Sequence, residues 1–188
     1  AFRTMAQAKH IGKIVLVAEP DEDAEPVRIL SRPRNELRRN GTYLITGGLG
    51  GIGLTVANWL VEHGARHLVL ISRSAPSADV SSQLAELQAR GAEVHTIQAD
   101  VADAEALGRV LDTITTKLPP LVGVFHAAGV LDDGLLSQLD GDWVRQVMAP
   151  KANGAWQLHE LTRTLDLDLF VLFSSATSVL GAPGQANY

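Results

Sequence analysis

Three side chains in this sequence carry groups whose chemistry is complementary: the hydroxyl of Ser175, the phenol of Tyr188 and the ammonium of Lys151. Ser175 closes Leu169-Phe170-Val171-Leu172-Phe173-Ser174-Ser175, an apolar run that reads as a strand ending in two hydroxyls. Tyr188 follows thirteen positions later. At this spacing the two hydroxyls can converge on one carbonyl oxygen, the first orienting it and the second protonating it. A phenol holds its proton tightly near neutrality, so it serves as an acid only beside a positive charge. Lys151, on the helical stretch before that strand, is the best-placed ammonium. Each residue also has a structural use: Ser175 as a turn or helix cap, Tyr188 as a packed aromatic, Lys151 as a surface charge.

A second cluster sits in the first third of the chain. Thr42-Tyr43-Leu44-Ile45-Thr46 reads as a buried strand, and the next seven positions, Gly47 to Gly53, hold five glycines. Gly48, Gly50 and Gly53 fit the GxGxxG spacing, and Thr46, Leu49, Gly51 and Ile52 complete the turn. Helical spacing resumes at once, with Ile52, Val56 and Leu60 in one stripe. A strand, a glycine turn and a helix N-terminus together offer close backbone approach and free N–H groups to a pyrophosphate. A tight turn with no ligand is the alternative.

The elements that must position these clusters alternate regularly. Strands are expected at 42–46, 67–72, 93–99, 121–126 and 169–173. A helix from Gly51 to Glu62 stops at Gly64. Another aligns Val80, Leu84 and Leu87 and ends at Gly91; a third aligns Leu107, Val110, Leu111 and Ile114, with Asp103 as its N-cap. A long helical region from Asp142 to Leu165 carries Pro150, which should kink it. This rhythm predicts an α/β fold, a Rossmann-like doubly wound parallel sheet covered on both faces, in strand order 3-2-1-4-5 and truncated at its C-terminal end.

Ligands of such sheets lie beyond the carboxyl ends of the strands. Strand two ends in Ser72-Arg73-Ser74, where an NAD site usually has an acid for the ribose 2′-hydroxyl. Arg73 suits a 2′-phosphate instead, which favours NADPH. Strand three ends at Asp100-Val101, where the carboxylate can accept from an adenine amino group or cap a turn. Strand four ends in His126-Ala127-Ala128-Gly129, small residues that let a cofactor lie against backbone. His126 itself is better read as packed and hydrogen-bonded than as a ligand. No metal site is expected.

Composition narrows the function classes. The net charge of -5 argues against nucleic acid as the main partner, and the absence of cysteine excludes a thiol nucleophile and a disulfide framework. No apolar run reaches the ~20 residues of a membrane span. The start lacks the form of a secretory signal, and a cytoplasmic location is expected.

From Gly41 to Tyr188 the ordered motifs resemble the catalytic ketoreductase domain of modular polyketide synthases, a branch of the short-chain dehydrogenase/reductase superfamily. They are Thr46–Gly53, Ser72-Arg73-Ser74, Asp100-Val101, His126–Asp133, Lys151–His159, Phe170–Ser175 and Gly184–Tyr188. The resemblance implies that Tyr188 is the proton donor, Ser175 the carbonyl-orienting serine and Lys151 the catalytic lysine. Arg73 would bind the NADPH phosphate, and Asp100 and Val101 the adenine. Leu131-Asp132-Asp133 matches the fingerprint of B-type ketoreductases, which give a 3R hydroxyl. The implied substrate is a β-ketoacyl chain on the phosphopantetheine arm of an acyl carrier protein, in a parent expected to be a homodimer.

The N-terminal forty residues read differently. Phe2–His10 reads as a helix and Lys13–Val17 as a strand, resembling the closing segment of an enoyl reductase domain at 1–18. Residues 19–40, first acidic with prolines and then basic, read as a solvated linker. An enoyl reductase neighbour before the catalytic half, 41–188, follows from that reading. In the family an Asn follows the Tyr by four positions and a lid covers the substrate, so the chain read as a fragment is expected to be weak or inactive alone. A free-standing short-chain reductase of a small ketone and a non-catalytic scaffold domain are the alternatives.

Overall fold

The computed structural model describes residues 37–188. The helix and strand read into residues 1–18, and all of the linker before residue 37, lie outside the described residues. Five parallel strands form one sheet in the order β3-β2-β1-β4-β5. They are β1 (Thr42–Thr46), β2 (His67–Ser72), β3 (Glu93–Gln98), β4 (Leu121–His126) and β5 (Leu169–Leu172). The helices between them are α1 (Gly51–Glu62), α2 (Ala78–Ala89), α3 (Ala104–Lys117), α4 (Gly141–Met148) and α5 (Gly154–Thr162), followed by a short α6 (Thr177–Leu180). The expected order and element types stand, with β3 and β5 each one residue shorter than their apolar runs suggest.

Strand pleating divides the core. Tyr43 and Ile45 of β1 face Leu54, Ala57 and Leu60 of α1 and Leu84 and Leu87 of α2. Leu44, between them, faces the other way onto Leu107, Val110 and Ile114 of α3 and Leu158 of α5. Each such side chain contributes about 1.5–3 kcal/mol on burial, and their alternation along β1 leaves one register for the strand. Toward β5 the cover thins: Phe170 and Leu172 are exposed while Leu169 and Val171 pack on the first core. The expectation of a sheet covered on both faces therefore holds for β1, β2 and β4 and not for β5.

Three local readings change. The buried stripe of α1 is Gly53, Leu54, Ala57, Leu60 and Val61, while Ile52 is exposed. Gly53 turns inward because a Cβ there would stand 2.3 Å from the carbonyl oxygen of Gly47, so only a glycine lets the helix sit this close to the turn. The long helix after β4 is two helices joined by a π-turn, Ala149–Asn153, rather than one kinked rod ending at Leu165. Pro150 lacks an N–H, and the ladder is carried past it by Gly154 N–H donating to Ala149 O. Arg38, read as solvated linker, is instead paired with the Asp168 carboxylate (Nε to Oδ2, 2.6 Å) ahead of β5. A guanidinium matches a carboxylate in two parallel bonds, and the second runs from Nη2 to Oδ1 at 2.8 Å.

The tight fit at Gly53 sets a test. Gly53→Ala should lower unfolding stability by about 1–3 kcal/mol through overpacking against backbone, read as a shift of the urea midpoint at unchanged slope.

Candidate functional site

The sheet divides at β1: β2 lies on one side and β4 on the other, so the loops after β1 and β4 diverge and leave a crevice. A cleft of about 240 Å³ occupies it, lined by Thr46, Gly47, Gly50, Ser72, Arg73, Asp100, Val101 and Ala127–Gly129, among others. The turn that opens it depends on Gly47, the one glycine of the motif with a left-handed conformation (φ 62°), whose absent Cβ would meet Ala127 O at 2.8 Å. The GxGxxG reading centred on Gly48 passed over Gly47. Gly48 serves packing instead, since a Cβ there would stand 2.7 Å from Leu70 Cβ.

At the base of the cleft α1 begins with Gly50 as N-cap, with no side-chain cap and no acidic residue in its first turn. Its leading N–H groups are thus left for an anion. Arg73 is exposed at the rim, without an ion pair among the described residues. Asp100 caps a turn, its Oδ1 accepting from Ala102 N–H at 2.9 Å, and the residue also lines the cleft. Of the remaining turn candidates, Leu49 packs on the core, and Gly48, Gly51, Ile52 and Gly53 do not line the cleft. A glycine turn, an uncapped helix start and a rim cation form a donor set that fits a phosphorylated dinucleotide.

Lys151 and Tyr188 come together at the other end. Lys151 lies in the π-turn; its side chain crosses Gly129, and Nζ donates to the Phe173 carbonyl at 2.9 Å. Nζ stands 5.2 Å from the centroid of the Tyr188 ring, within cation–π range. Both residues line a second, mostly apolar cavity of about 300 Å³ with Phe173, Ser174 and Asn187. Ser175 is not brought into this pair. Its Oγ lies 2.9 Å from Thr177 Oγ1 and accepts from Thr177 N–H at 3.2 Å, which ties it to the first residue of α6.

Sequence reasoning passed over what holds Tyr188 in place. The loop Leu131–Gly134 is tied to the turn before Tyr188 by Gly134 N–H to Gly184 O (2.8 Å) and Asn187 Nδ2 to Asp132 O (2.8 Å). Gln185 Nε2 also donates to both Asp133 oxygens at 3.3 Å. These three links appear only when the loop and turn are seen side by side. Leu131 remains exposed beside them. His126 is packed and hydrogen-bonded, as read: its Nδ1 is 2.6 Å from Thr46 Oγ1.

The KR domain family profile matches residues 41–188. The chain belongs to the KR domain family. Over its whole length it is 43% identical to a highly reducing polyketide synthase of Aspergillus terreus, of which it spans 7%. It is 46% identical to polyketide synthase GfsB of Streptomyces halstedii, of which it spans 3%. Among solved structures, an N-terminal ketoreductase from the macrolactin assembly line aligns with TM-score 0.77 at 33% identity, over 81% of this chain and 32% of that one. An A-type ketoreductase from a modular polyketide synthase aligns with TM-score 0.74 at 44% identity, over 81% and 33%. No helix among the described residues is long and apolar enough to cross a membrane. The KR domain here thus has a cleft at the glycine turn and, beside it, a second cavity that holds the Lys151–Tyr188 pair.

Gly129 is where the two meet, because a Cβ there would stand 2.9 Å from Lys151 Cε. Gly129→Ala should displace the flexible end of Lys151 and cost turnover about tenfold or more, with the melting temperature nearly unchanged. Steady-state kinetics alongside a thermal melt check this.

Proposed function

We propose that this domain reduces a β-ketoacyl chain, held on the phosphopantetheine arm of an acyl carrier protein, to the 3R-hydroxyacyl level with NADPH. The observation that carries the reading is Lys151, fixed by the Phe173 carbonyl and standing over the Tyr188 ring at 5.2 Å. Tyr188 donates its proton to the β-carbonyl oxygen, and the Lys151 ammonium stabilises the negative charge that develops on the phenol. Bound nicotinamide supplies the hydride. Gly47, Gly50 and the start of α1 would hold the pyrophosphate, Arg73 the 2′-phosphate, and Asp100 and Val101 the adenine end. Ser175 takes the role of carbonyl orienter once its hydroxyl turns from Thr177, and its partly buried position at the end of β5 supports this.

The 3R outcome rests on Leu131-Asp132-Asp133, whose loop is bonded to the turn that carries Tyr188. Relatives that match the whole chain while extending far beyond it support a place inside a multidomain synthase rather than a free-standing reductase. The reading of residues 1–18 as the tail of a preceding enoyl reductase domain and 19–40 as its linker rests on the sequence resemblance alone. The homodimeric parent and cytoplasmic setting belong to this reading too.

Two variants of the full synthase test the proposal. Tyr188→Phe should leave the product at the β-keto stage, lowering reduction at least 10²-fold, on the order expected for a lost general acid; unchanged product oxidation state would refute it. Arg73→Ala should raise KM for NADPH at least about tenfold, through loss of a charge-assisted contact, while leaving KM for NADH unchanged. Loss of both equally would refute the 2′-phosphate role.

A further inference from the structure

His126 is a buried titratable group that the proposed chemistry does not use, being 3% exposed at the end of β4. It stands between the two halves of the site. On one side its Nδ1 is 2.6 Å from Thr46 Oγ1, at the end of β1 where the glycine turn begins. On the other its Nε2 is 3.3 Å from the backbone carbonyl of Lys151, in the π-turn.

The partners assign the protons. A carbonyl oxygen only accepts, so Nε2 carries the hydrogen and donates to Lys151 O. Burial holds the ring's pKa below the ordinary histidine value, against the raising effect of the bond to Lys151 O, and the nearby Lys151 charge lowers it further. The imidazole is therefore neutral, and Nδ1 accepts from the Thr46 hydroxyl. Thr46 Oγ1 in turn accepts from Ala128 N–H at 3.2 Å. The result is a directed chain: Ala128 N–H to Thr46, Thr46 O–H to His126, His126 N–H to Lys151 O. It runs from the wall of the dinucleotide cleft to the backbone of the lysine. Gly154 encloses the ring, since a Cβ there would stand 3.3 Å from its Cε1.

We infer that His126 is a positioning residue, which fixes the π-turn carrying Lys151 relative to the glycine turn and so sets where the lysine ammonium meets Tyr188. The inference rests on the ketoreductase reading above. The bond to a main-chain carbonyl, in a helix segment already departing from i→i+4 geometry, is the part with functional weight. A π-turn has alternative ladders close at hand, and a side-chain donor at Lys151 O selects one of them.

Asparagine and glutamine separate the two halves of the link. In His126→Asn the amide reaches Thr46 but falls short of Lys151 O; in His126→Gln the amide N–H reaches as far as Nε2. Both are made in the full synthase and assayed with a β-ketoacyl thioester and NADPH, with the NADPH Kd and a thermal melt measured in parallel. The expected result for His126→Asn is a kcat about tenfold to a hundredfold lower, as for a small misplacement of a catalytic group, with KM and NADPH Kd within about twofold. His126→Gln should recover most of the lost kcat. A parental kcat in the asparagine variant overturns the inference. So does equal impairment of both variants, or their failure to fold, since either makes the histidine a packing residue only. Tyr188→Phe measured alongside separates the two claims. If it remains active, the ketoreductase reading fails; if it is dead while His126→Asn is normal, only the positioning role fails.

Discussion

The registration of β1 against β4 is the constraint on which the rest depends. Thr46 sits opposite His126, so the two strands that flank the division of the sheet end level with one another. From that line the chain leaves β1 into the glycine turn and leaves β4 into Ala127-Ala128-Gly129. The close approach of Gly47 to Ala127, and the bond from Ala127 N–H to Thr46 O at 3.1 Å, hold the two exits together. Shifting this register by one residue would put Thr46 and His126 on opposite faces of the sheet. The cleft floor would then lose its shape and Lys151 the partner at its carbonyl.

Placing a phenol and an ammonium beside a dinucleotide cleft takes elements distant in sequence. Lys151 comes from a turn between α4 and α5, its anchor from the end of β5, and Tyr188 from the turn after α6. None of these segments is secured by local propensity alone. The π-turn has Pro150 in it, and the Gly184–Tyr188 turn is held by bonds to the Leu131–Gly134 loop. Polar ties thus do at the active end what apolar packing does in the core, and they do so where backbone must stay open to a substrate.

Much of this was legible in the sequence. Periodicity of two in the strands and near four in the helices located nearly every element, because each buries one face against a sheet that itself has two. The glycine turn, Arg73, Asp100 and the Lys151–Tyr188 pair were readable because strand ends in such folds converge on one edge. What was not legible depends on relations between segments. The inward turn of Gly53 instead of Ile52 follows from a backbone contact, and the pairing of Arg38 from a partner far along the chain. The role of Gly47 depends on a dihedral, and the brace on Tyr188 on three bonds between loops. Ser175 shows the limit from the other direction, since its hydroxyl is bonded to Thr177 in the structure while its place in the motif speaks for chemistry.

On the function proposed above, the nicotinamide cofactor reaches from the cleft at the glycine turn into the cavity lined by Lys151 and Tyr188, with its reactive end at that pair. A crystal structure of the KR domain with NADPH bound measures this directly. The pyrophosphate is expected at the start of α1, the 2′-phosphate on Arg73 and the nicotinamide ring beside Tyr188. A nucleotide bound elsewhere, or one whose nicotinamide end lies away from Tyr188, would contradict it.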